Sequence, residues 1–146
     1  SRDAALRLKL NPIREMFEDK QVLLVDDSIV RGSTMRRIVK YLRTLNPKAI
    51  HLAIFSPPVR HPCFYGIDLP TQREPLAAQH DPETLETVLA DYFDTDSLTY
   101  LSIDGMRSVS GTQICDACFT GDYPMPVSDD EKRWIEGDRR PEHAAP

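Results

Sequence analysis

The residues with the clearest chemical purpose stand in "VLLVDDSIVRGST", residues 22–34. Apolar residues run into the adjacent acids Asp26 and Asp27, and a turn containing Ser28, Val30, Arg31, Gly32, Ser33 and Thr34 follows. If that turn opens a helix, free backbone N–H groups and the positive dipole end attract an anion, above all a phosphate. Gly32 permits close backbone approach, Ser28, Ser33 and Thr34 offer hydroxyls, and Arg31 can add charge. A phosphate alone is repelled by the two acids. They suit a ligand that also brings donors or a cation. A phosphorylated ribose has vicinal hydroxyls, and magnesium favours hard oxygen ligands. Carboxylates beside the sugar would also stabilise positive charge on the ring as its C1 bond breaks. The plainer reading is that two acids end a strand and cap a turn. Neither a Walker A sequence nor a G-x-G-x-x-G fingerprint is present, which excludes those phosphate modes.

Cysteines form the second group. Cys115 and Cys118 make a C-x-x-C in "QICDACFTGDYP", and Cys63 lies in "HPCFYGID". Thiolates are soft ligands, yet one C-x-x-C serves a redox pair, half a zinc site or nothing. A redox pair would open a helix after a strand, whereas this one leads toward a glycine–proline turn. His61 or His80 could complete a zinc site, though a surface histidine bonded to backbone is the blander account. Asp116 reads as polar surface. Lys9 and Arg14 read as solvated charges, and Trp134 stands in a charged tail without apolar company.

The elements that must position these groups follow from periodicity. Residues 21–27 predict a strand apolar on both faces, as a parallel strand covered by helices would be. Residues 34–45 predict a helix whose stripe is Met35, Ile38, Val39, Leu42 and Leu45, with Ser33 or Thr34 as N-cap. Asn46-Pro47 stops it, and residues 49–55 predict a second, parallel strand. A proline-rich irregular loop begins at Ser56. "DPETLETVLADYF" predicts a helix with Asp81 as N-cap and Pro82 at its first position. "SLTYLSI", residues 97–103, predicts another strand, and from Pro126 the composition is that of a mobile tail. No internal repeat is visible.

With 40% hydrophobic and 28% charged residues, the 146-residue chain has the composition of an ordinary globular domain. A net charge of -5 without a basic stripe argues against nucleic acid, and no apolar run reaches membrane-spanning length. Three cysteines suit a disulfide framework poorly. The abrupt start at Ser1, with no initiator Met, suggests a processed chain or a piece of a longer polypeptide.

"VLLVDDSIVRGST" resembles the phosphoribosyl-pyrophosphate signature of type I phosphoribosyltransferases. Together with "LRLKLNPIR", "SPPVRHPCFYGID" and "CDACFTGDYP", it makes residues 6–125 similar to the glutamine phosphoribosylpyrophosphate amidotransferases. The resemblance implies an α/β fold: residues 1–125 as the C-terminal part of a phosphoribosyltransferase domain with a Rossmann-like parallel sheet and a cysteine-bearing segment, then a mobile tail over 126–146. It implies a transferase of purine biosynthesis that moves glutamine-derived ammonia onto C1 of phosphoribosyl pyrophosphate. Asp26 and Asp27 match the family's magnesium- and ribose-contacting acids. Ser28, Val30, Arg31, Gly32, Ser33 and Thr34 match its 5-phosphate loop. Cys63, Cys115 and Cys118 match three ligands of the [4Fe-4S] cluster in one branch of the family, with the fourth outside this chain.

Implied partners are purine nucleotide feedback inhibitors, an upstream glutaminase domain and further copies of the chain, in the cytoplasm, with no nucleic acid and no membrane. The family's nucleophilic cysteine is not here, since the chain begins with Ser1. The pyrophosphate loop and closing loop are also expected upstream. No catalytic residue is therefore assigned, and the isolated chain is expected to be inactive. Two other classes stay open. One is a receiver module phosphorylated on Asp68, although no lysine stands between Lys48 and Lys132 to complete it. The other is a silent regulator that keeps only a nucleotide pocket.

Overall fold

The computed structural model describes residues 12–69, 75–110, 114–130 and 132. Three strands form a parallel sheet in the order β1 (Gln21–Asp26), β2 (Ala49–Ile54), β3 (Ser97–Tyr100). The register sets Asp26 beside Ile54 and Ile54 beside Tyr100, so the carboxyl ends of all three strands lie together. Helix α1 (Ser33–Arg43) joins β1 to β2, and α2 (Leu85–Phe93) precedes β3. Helices α3 (Ile103–Ser110) and α4 (Ala117–Thr120) follow, with 3-10 turns at Arg14–Met16 and Leu76–Gln79.

Alternation along the strands decides where the core lies. Ile50, Leu52 and Ile54 of β2 and Leu98 of β3 are buried on one face, against Met35, Val39 and Leu42 of α1 and Leu85, Leu89 and Phe93 of α2. The other face differs from the expectation that β1 is covered on both sides. Leu23 is 65% and Val25 45% exposed, and Phe55, just past β2, is exposed too. The apolar run forms sheet as expected, but Leu23 and Val25 of β1 are left exposed on that face, while Ala49, His51 and Ala53 of β2 are half-buried.

Helix boundaries also shift. Helix α1 starts at Ser33 rather than Thr34, and its N-cap is Gly32, in a left-handed conformation with no side-chain cap bond. Its end agrees with the Asn46-Pro47 signal: the last helical residue is Arg43, and Asn46 takes a positive φ of 56°. Helix α2 starts after Thr84 instead of at Pro82, while Asp81 caps the preceding turn by accepting the Glu83 N–H at 2.8 Å. The third strand stops at Tyr100, and Ile103 opens α3. Most of the tail lies outside the described residues, as do Lys9 and Trp134. Within it, the Lys132 N–H donates to the Ser128 carbonyl.

One polar clasp holds α1 to the sheet. Asp96 Oδ2 accepts the Ile50 N–H at 2.8 Å and the Arg43 guanidinium at 3.0 Å, and Arg43 Nε donates to the Asp94 carbonyl. The Ile50 amide first, and Arg43 with it, hold the Asp96 carboxyl below its usual 3.8. A carboxyl whose pKa is lower folded than unfolded adds stability above the unfolded value and loses it on acidification. Thermal unfolding of the Asp96→Asn variant should therefore fall less steeply than the parent's as the pH drops below about 4.

Candidate functional site

At the carboxyl edge of the sheet a cavity of about 360 Å³ opens beside β1 and α1. Residues 28–35 line it continuously, with Asp26 on one side and Asp68 on another. The loop is held from behind. Ile29 is buried in the core, and the Val30 carbonyl accepts the Leu76 N–H at 2.8 Å. Gly32 is buried with a φ of 71°, where a left-handed turn favours glycine.

That turn leaves the start of α1 open. The first helical bond is Arg36 N–H to the Gly32 carbonyl, at 3.0 Å. The amides of Ser33, Thr34 and Met35 precede it, no side chain caps them, and no acid stands in the first turn. Uncapped amides at the positive dipole end of a helix have the chemistry to receive an anion. The expected N-cap role of Ser33 or Thr34 does not occur; both residues are exposed and line the cavity.

The two acids part company. Successive side chains on a strand alternate, so Asp26 shares the face of Val22 and Leu24, on which α1 packs. Asp26 lines the cavity and Asp27 does not. Each is oriented by a neighbouring amide: Asp26 Oδ1 accepts the Asp27 N–H, and Asp27 Oδ1 accepts the Ser28 N–H at 2.7 Å. Carboxylate oxygens are hard donors, so the chemistry of these two residues fits magnesium. Of the sequence-derived site residues, the structure thus gathers Asp26, Ser28, Val30, Arg31, Gly32, Ser33 and Thr34. It also adds Asp68, which the sequence connects to the acid pair only in the receiver alternative.

The cysteines converge after β2 and around α4. The Cys118 carbonyl accepts the N–H groups of Arg60 and His61, at 2.9 and 3.0 Å, which lays the Cys63 segment along α4. His61 packs its ring on Gly121. Tyr123 donates its hydroxyl to the Pro62 carbonyl at 2.8 Å and meets Phe64 at a tilt and Tyr65 edge-on. Burial, then the nearby cysteines and Tyr65, push the Tyr123 phenol up to about 12. Burial also raises the Cys118 thiol, as do Cys63 and Cys115. All three thiols are unpaired. Their softness and convergence fit a thiophilic metal, but among the described residues no three His, Cys, Asp or Glu are closed into a metal-holding group.

Asp116, read as plain polar surface, is in fact 12% exposed in its side chain and ion-paired with Arg107 of α3. Its partner comes from a helix the sequence reading missed.

Residues 4–62 match the family described as phosphoribosyl transferase domain. The chain is 44% identical over 135 residues to the amidophosphoribosyltransferase of Synechocystis sp., covering 90% of this chain and 26% of that protein. It is 42% identical to the amidophosphoribosyltransferase of Archaeoglobus fulgidus, covering 89% of this chain and 29% of that one. Among solved structures it superposes on glutamine phosphoribosylpyrophosphate amidotransferase from Bacillus subtilis, complexed with ADP and GMP. That match has a TM-score of 0.70 at 40% identity and covers 86% of this chain and 30% of the other. A structure described as that of the allosteric regulatory enzyme of purine biosynthesis gives a TM-score of 0.71 at 40% identity, covering 82% and 26%. The chain spans about a quarter of the length of these relatives. Its α/β fold is that of part of a type I phosphoribosyltransferase.

Proposed function

We infer that this chain is the ribose-phosphate-binding part of an amidophosphoribosyltransferase of purine biosynthesis. The observation that carries the reading is the cavity at the uncapped start of α1, with a carboxylate at its rim. The amides of Ser33, Thr34 and Met35 and the nearby hydroxyls hold the 5-phosphate of phosphoribosyl pyrophosphate. Asp26 accepts from the ribose hydroxyls, and Asp27 supports the turn. In the reaction the C1–oxygen bond to pyrophosphate breaks, ammonia forms the C1–nitrogen bond, and a proton leaves the new amine. Positive charge grows on the ring between these events, and the Asp26 carboxylate lowers its energy.

Asp26 would hold magnesium from within the cavity, and the ion would supply charge neutralisation of the leaving pyrophosphate. Cys63, Cys115 and Cys118 would supply three legs of a [4Fe-4S] cluster, with a fourth thiolate from elsewhere in the polypeptide. A glutaminase unit delivers the ammonia, purine nucleotides act as feedback inhibitors, and the complete enzyme is a cytoplasmic homo-oligomer. Among the described residues no helix is long and apolar enough to cross a membrane.

Two measurements test this. A full-length protein carrying this chain should form phosphoribosylamine from ammonia and phosphoribosyl pyrophosphate, while the isolated chain should not. Failure of the former removes the reading. Anaerobically purified full-length protein should be brown, with broad absorbance near roughly 400 nm and about four irons per chain. A colourless sample containing zinc would replace the cluster by a zinc site.

A further inference from the structure

We propose that Asp68 sets the ligand preference of this cavity, rejecting a bare phosphate ion in favour of a sugar phosphate accompanied by a divalent cation. The proposal rests on the ribose-phosphate reading of the site and adds to it the element that selects the substrate.

The cavity is bipolar. Its phosphate end is made of amides at the start of α1, which attract any small oxyanion equally. Its other lining groups include two carboxylates from separate parts of the chain: Asp26 at the end of β1, and Asp68 on the loop that leaves β2. One acid at such a rim only tempers anion binding. Two acids facing one small cavity turn it against a ligand that is anionic throughout. A ligand is favoured if its anion is confined to one end and its other end presents hydroxyls or a hydrated cation.

Asp68 is also held well enough to act this way. The Leu69 N–H donates to the Ile67 carbonyl at 2.7 Å, closing a tight turn around Asp68, and Gly66 enters that turn at a φ of 103°. Upstream, the Tyr65 hydroxyl donates to the Met125 carbonyl at 2.7 Å and accepts the Met125 N–H at 3.1 Å. The Tyr65 N–H meets Cys63 Sγ at 3.4 Å. The loop carrying Asp68 is thus tied to the C-terminal segment within three residues of the acid. The carboxylate itself is exposed, so its removal disturbs no core.

The test is isothermal titration of the full chain with inorganic phosphate and with ribose 5-phosphate, each with and without magnesium. The parent should prefer ribose 5-phosphate with magnesium. Asp68→Asn should bind that ligand about tenfold more weakly and inorganic phosphate more tightly, so that the preference collapses. Asp68→Glu, which keeps the charge, should restore most of it. An unchanged preference in Asp68→Asn would overturn the assignment of Asp68 while leaving the ribose-phosphate site intact. A parent chain that binds neither ligand would remove both. Circular dichroism spectra matching the parent's establish that the variants are folded.

Discussion

Replacing Asp26 by Asn in a full-length protein carrying this chain should reduce turnover of phosphoribosyl pyrophosphate by about a hundredfold, with a much smaller loss for Asp27→Asn. The asymmetry follows from alternation at the end of β1, which turns Asp26 into the cavity and Asp27 out of it. Removing one preorganised group aimed at developing charge typically costs about two to three orders of magnitude in rate. Asn keeps the oxygen that accepts the Asp27 N–H, so the turn survives and only the charge is lost. The loss should fall mainly on kcat, because the ring carries positive charge only in the transition state. Equal losses at both positions would mean that the two acids act together on a cation. An undiminished rate in Asp26→Asn would remove the electrostatic role of the carboxylate altogether.

The phosphate end of the site was legible in the sequence because it obeys local rules. An apolar strand, a glycine turn and an amphipathic helix occupy one continuous stretch, and residues 28–34 end up around one cavity as expected. The capping residue was misplaced by one or two positions because hydroxyls were credited with capping, whereas Gly32 caps by its backbone conformation alone. Parallel pairing of β1 and β2 was also legible, since a crossover helix leaves no other arrangement.

What stayed hidden depends on contacts distant in sequence. Asp68 reaches the cavity through a proline-rich loop with no periodicity to read, so its place beside the phosphate loop was not foreseen and it was paired with the acids only in the receiver alternative. Asp116 is paired because α3 brings Arg107 to it, and α3 was overlooked because residues 101–103 continue the apolar character of β3. The exposed face of β1 could not be foreseen from the strand itself. An apolar run reports that a strand is suited to burial, not which segment supplies the cover. The convergence of Cys63 on Cys118 rests on two backbone bonds into one carbonyl, which leave no side-chain signature.

Substituting Ala for Gly32 should destabilise the chain by about 2–4 kcal/mol, the sum of left-handed strain and overpacking. The position combines two constraints. Its φ of 71° disfavours any side chain, and an added Cβ would lie 2.7 Å from Leu76 Cδ2 and 2.9 Å from Phe93 Cζ. Neither neighbour can yield freely: Phe93 is almost wholly buried in the core, and Leu76, buried in the same cluster, also holds the loop through its amide on the Val30 carbonyl. Pressure at this point therefore moves the loop that forms the cavity as well as the core behind it. A fall in the urea midpoint accompanied by weaker ribose 5-phosphate binding is the expected pair of results. The Gly32→Ala, Leu76→Ala double variant separates the two causes. It relieves the 2.7 Å contact but leaves the backbone strain and opens a void, so only part of the loss from Gly32→Ala should be non-additive with that from Leu76→Ala. Full stability in Gly32→Ala alone would show that the turn can relax to a negative φ, and the close approach of the loop to Phe93 would then have no energetic weight.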